Sequence, residues 1–76
     1  MYTFIETQTM HPDYFYHEDY KTYEEAYERM RTIYHTFAVE GNPETIIKAT
    51  INDNNAMMEE SDGNQTWWRV IEIKEN

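Results

Sequence analysis

The sequence predicts an α+β domain: one amphipathic helix packed on one face of a small, mostly antiparallel sheet of three or four strands. Three observations predict it. One segment carries apolar residues at helical period, several short segments are rich in β-branched and aromatic residues, and an Asp-Gly pair separates the last two of these. The expected order is β-α-β-β(-β), in a single domain spanning residues 1–76.

"YTFIETQT" at 2–9 is rich in Thr and aromatic residues and is read as the first strand. Its inward face stays open, because Tyr2 and Phe4 oppose Ile5 in parity. "HPDYFYHEDY" at 11–20 has no clear periodicity and is assigned to an aromatic-rich loop. The helix is expected over 22–40, where Thr22 and Glu25 form a capping box. Tyr23, Ala26, Tyr27, Met30, Ile33, Tyr34 and Phe37 then make one apolar stripe. Glu25 and Arg29 are spaced for an i,i+4 pair, and Gly41, Asn42 and Pro43 supply a stop.

"TIIKATIN" at 45–52 reads as a strand, 53–55 as a turn and 56–60 as a weaker strand. Asp62-Gly63 marks a hairpin, and "TWWRVIEIK" at 66–74 is the last strand. Adjacent Trp67 and Trp68 must point to opposite sides of it. Trp67 shares parity with Ile71 and Ile73, so these three are assigned to the helix side. Arg69 shares that parity too, which implies an edge position or a snorkelling stem. Trp68, Val70 and Ile46 are thereby left on the face away from the helix, as a candidate interaction face. The loop aromatics Tyr14, Phe15, Tyr16 and Tyr20 are the competing way to cover it.

A chain of 76 residues buries only about 60% of its unfolded surface, and it has no cysteine to staple it. Seven Tyr, three Phe and two Trp supply bulk instead, and association with a second copy is the other usual remedy. The lack of cysteine, of a basic-then-apolar leader and of a long apolar run points to a cytoplasmic protein that does not enter membranes.

The net charge of −9 argues against direct nucleic-acid binding. The two glycines have turn explanations, the lone Ser61 has no activating partner in local sequence, and no phosphate loop is present. His11 and His17 lie among Asp13, Glu18 and Asp19 without a recognisable metal spacing. No catalytic residue, metal or cofactor is expected. The leading expectation is a non-enzymatic protein–protein interaction module, homodimeric or bound to a larger protein. The alternative is an acidic mimic of nucleic acid, of the phage or mobile-element type, that inhibits a basic DNA- or RNA-binding protein. Its surface would run through Asp13, Glu18, Asp19, Glu24, Glu25 and Glu28.

Overall fold

Five strands, rather than three or four, form the sheet of the computed structural model, which describes residues 1–74. The elements are β1 (Tyr2–Gln8), β2 (His11–Tyr20), α1 (Tyr23–Tyr34), a π-helical turn (His35–Val39), β3 (Ile46–Ile51), β4 (Asn55–Glu60) and β5 (Gln65–Glu72). Every pairing is antiparallel, in the order β2-β1-β5-β4-β3. The last strand in sequence is therefore central. The helix carries the chain from the β2 edge to the β3 edge and lies across one face on the way.

The extra strand is the segment 11–20, expected as a loop. It pairs with β1 from Tyr2↔Tyr20 to Thr7↔Phe15, with an irregularity before Gln8↔His11. It is an edge strand exposed over most of its length, so burial imposes no alternation for a sequence pattern to display. Tyr16 and Tyr20 lie on the helix side of the sheet, in register with Glu6 and Tyr2, and only Phe15 among the strand's central aromatics points away.

Half of the expected capping box forms: Thr22 Oγ1 accepts from the Glu25 amide, while Glu25 Oε1 accepts from the Thr22 hydroxyl at 3.0 Å rather than from its backbone amide. Arg29 does not pair with Glu25. Its Nε sits 2.7 Å from Glu18 Oε1 on β2, tying the helix to the edge strand. Ala26 and Met30 are fully buried, with Tyr23, Tyr27, Ile33 and Tyr34 packed around them. The α-helix ends earlier than expected, at Tyr34, and a π-turn follows in which the Glu40 amide bonds the His35 carbonyl. A wider turn takes one residue more per revolution, so Ala38 rather than Phe37 continues the inward stripe. Phe37 is left exposed.

Gly41 ends this segment against the sheet: a Cβ there would fall on the Phe37 carbonyl oxygen and within 2.7 Å of Ile46 Cδ1. At the β4–β5 turn Gly63 has φ of +94°, the region that suits glycine, and its amide bonds the Glu60 carbonyl. A bulge between Ile46 and Lys48 interrupts β3 and leaves Ile47 exposed.

The parity assigned to the last strand is reversed. Thr66, Trp68 and Val70 face the helix and are buried, whereas Trp67, Arg69 and Ile71 face away. Ile46 also lies on the helix side, partly buried against the core. The core joins Phe4 of β1, Ala56 and Met58 of β4, and Trp68 and Val70 of β5 to Ala26 and Met30 of α1. Arg69 is not at an edge; β5 has β1 on one side and β4 on the other.

Candidate functional site

The sheet has one covered and one uncovered face, and the uncovered one is the candidate site. Register fixes its membership. Phe15 of β2, Thr7 of β1, Trp67 of β5, Met57 of β4 and Thr50 of β3 form one row across the sheet. Beside it His17, Ile5, Arg69 and Asn55 form a second. Phe15 is 61% exposed and Ile71 43% exposed, while Met57, flanked by Trp67 and Thr50, is 5% exposed. The Arg69 guanidinium lies over the Trp67 ring, 5.7 Å from its centroid, and the Trp67 indole donates to Gln65 Oε1 at 3.1 Å. On β2, across β1 from them, the Phe15 and His17 rings lie tilted at 39° with centroids 5.7 Å apart.

This face is balanced in charge. Among the residues that register places on it, the acids are Asp19 on β2 and Glu59 on β4, and the bases are Arg69 on β5 and Lys48 on β3. Asp13 lies in the irregular stretch of β2, outside this register.

The residues first expected on this face, Trp68, Val70 and Ile46, are not on it. Trp68 is 1% exposed, edge-on to Tyr34 at 6.2 Å, and its Nε1–H donates to Glu6 Oε1 at 2.6 Å. Burial of so large a ring is affordable because the one polar atom has an acceptor. The other Glu6 oxygen accepts from the Tyr14 hydroxyl, and that hydrogen bond pushes the Tyr14 pKa up to about 12. The two indoles thus divide between core and surface in the opposite sense to the expectation.

The acidic residues do not form one surface. Glu24, Glu25 and Glu28 lie along the first turns of α1, with Glu28 Oε1 3.4 Å from Arg31 Nε. Asp13 is exposed on β2. Glu18 faces the helix. Burial opposes its ionisation, but Arg29 and the Tyr16 and Tyr20 hydroxyls outweigh it and hold its carboxyl below the usual range. Asp19 points to the opposite side of the sheet, 3.5 Å from His17 Nδ1.

On the covered face a cleft of about 370 Å³ opens beyond the π-turn, between it and the ends of β1, β4 and β5. Phe37, Ile46, Met58 and Trp68 give it apolar walls, and Glu6, Glu60 and Thr66 give it polar ones. Among the described residues no group of three or more His, Asp or Glu side chains is arranged to hold a metal ion. No helix among them is long and apolar enough to cross a membrane.

Comparison with family models, with curated proteins and with solved structures gives no match to this chain. The signal that could have found the site was Arg69. A charged residue in a central strand belongs on the uncovered side, and its parity with Trp67 and Ile71 marks all three as outward.

Proposed function

We propose that the protein is a small non-enzymatic interaction module that associates with a second copy of itself through the uncovered sheet face. The observation that carries this reading is that face itself: an aromatic and aliphatic centre, at Trp67, Phe15, Ile5 and Ile71, with no element of the described residues laid over it. Apolar faces of this kind on small domains are usual places of association. Charge balance selects the partner. Each copy carries −9, yet two such faces meet with equal numbers of acids and bases, so the long-range repulsion is weakest in this orientation. Size is adequate as well. The two longer extents of the molecule, 45 and 25 Å, leave room for the roughly 800 Å² per partner of a standard interface.

The acidic-mimic reading has less to rest on. Glu18 is engaged by Arg29, and Asp19 sits on the other face.

The test is the solution mass, by light scattering on a sizing column, of wild type and Trp67→Lys. A wild-type dimer and a folded Trp67→Lys monomer are expected. A wild-type monomer at roughly millimolar concentration would sink the proposal, since an association weaker than that is worth only about 4 kcal/mol.

A further inference from the structure

We propose that the cleft beyond the π-turn binds a small organic cation, an ammonium group carried on an apolar body. This site is on the opposite side of the sheet from the proposed dimer face, so either reading can fail without the other.

The cleft has the dimensions of a small-molecule site, at the lower end of the roughly 300–1,000 Å³ such sites occupy. Its polar lining holds two carboxylates, Glu6 and Glu60, beside the amides of Gln8 and Asn42 and the hydroxyls of Thr45 and Thr66. Neither Lys, Arg nor His lines it, and both charged residues that do, Glu6 and Glu60, are acids. Glu6 is fixed in place from two directions, by the Trp68 indole and by the Tyr14 hydroxyl, and each of its oxygens keeps a further lone pair. Glu60 accepts from Asn64 Nδ2 at 3.5 Å, the outer limit of a hydrogen bond, so nearly all its acceptor capacity is unused.

Thr66 supplies an independent sign of a ligand. The residue is 5% exposed and lines the cleft, and its hydroxyl has no hydrogen-bond partner among the described residues. Among the described residues no side-chain nitrogen or oxygen fully sealed from solvent lacks a partner, so this hydroxyl is reached by solvent, on a residue that lines the cleft. A ligand seated in the cleft would meet this hydroxyl in place of water.

An ammonium offers three donors and no acceptor, the complement of two carboxylates and a hydroxyl. Its apolar body has Ile46 and Met58 to lie against, and the rings of Phe37 and Trp68 favour a cation near their faces. A metal ion is the poorer occupant, because the described residues provide no cluster of three ligands. The field of a chain at −9 draws cations in.

The test is an NMR titration of the ¹⁵N-labelled protein with 2-phenylethylammonium chloride at constant ionic strength, with neutral 2-phenylethanol as control. The two indoles report from opposite faces. Saturable movement of the Trp68 Nε1–H resonance with Trp67 unmoved is the expected result. The neutral control and the Glu60→Gln variant should each weaken binding about tenfold or more, with the variant's spectrum otherwise that of the folded protein. Thr66→Val, which keeps the shape and removes the hydroxyl, should weaken it too. Equal affinity for the alcohol, equal movement of both indoles, undiminished binding to Glu60→Gln, or no saturable shift at roughly millimolar probe would each overturn the proposal.

Discussion

Trp67 and Trp68 are neighbours in sequence, yet they occupy the two faces of one central strand under opposite conditions. Trp68 is enclosed by α1, with its indole nitrogen paired to Glu6. Trp67 has no layer above it among the described residues, and the Arg69 guanidinium from its own strand lies 5.7 Å from its ring centroid. The difference is a matter of layers: a single helix buries one side of a sheet, and among the described residues no second layer lies over the other. The uncovered side is kept presentable in another way, by a two-acid, two-base balance around its apolar centre.

The strongest way to break this comparison is to truncate each indole in turn. Trp68→Ala should cost about 3–5 kcal/mol, a core truncation made worse by leaving Glu6 Oε1 without its donor. In a domain with roughly 5 kcal/mol to lose, that leaves about 2 kcal/mol or less, and up to about half of the molecules would be unfolded. Trp67→Ala should cost about 1 kcal/mol or less in the dilute chain. Urea unfolding followed by far-ultraviolet circular dichroism measures both. Equal losses would mean that the faces do not differ as described.

Gly41→Ala acts on the covered face alone. The added Cβ meets the Phe37 carbonyl, which is backbone and does not swing aside, so a loss of about 1–3 kcal/mol is expected. The same unfolding measurement checks it. Self-association of the folded fraction should be unchanged, since the new atom is on the far side of the sheet from Trp67.

How much of this was readable beforehand differs between the helix and the sheet. The helix start was legible because a cap and a periodic stripe are local. Its end was not: nothing in "HTFAV" announces a π-turn, which exposes Phe37 and brings Ala38 inward. β2 was missed because an edge strand exposed on both sides has no reason to alternate. The parity of β5 was misjudged because hydrophobicity alone favoured Ile71 and Ile73 as inward. Thr66 is inside and Ile71 outside, so the deciding residue was Arg69. The cleft was illegible altogether, since Glu6, Glu60 and Thr66 meet there only through the sheet register and the π-turn.

The acid limb of stability offers a sharper view of the covered side. Glu18 has its carboxyl held below the usual range in the folded chain. Its contribution is therefore present above the unfolded pKa and is lost as pH falls through the folded one. Melting temperature should drop on going from about pH 6 to about pH 3, and Glu18→Gln should drop less over that interval while starting lower. An identical slope in the variant would assign the acid limb to other carboxylates. The effect is smaller than either core change, because the pair is partly exposed, with 40% of the Arg29 side chain and 30% of the Glu18 side chain accessible.

The smallest expected effect falls on the uncovered face. Arg69 stacks over Trp67 in a largely solvated setting, so Arg69→Gln should lower stability by only about 0.5 kcal/mol. Its consequence for association is of a different kind. Removing one base leaves the face net acidic in both copies, and two acidic faces repel at low ionic strength more than at high. Wild-type dimerisation should be nearly independent of salt, whereas that of Arg69→Gln should weaken in low salt and recover as salt is added, as measured by sedimentation at a series of ionic strengths. If the variant dimer is as indifferent to salt as wild type, charge balance is not what allows two chains of −9 to meet, and the apolar centre around Trp67 must account for the association by itself.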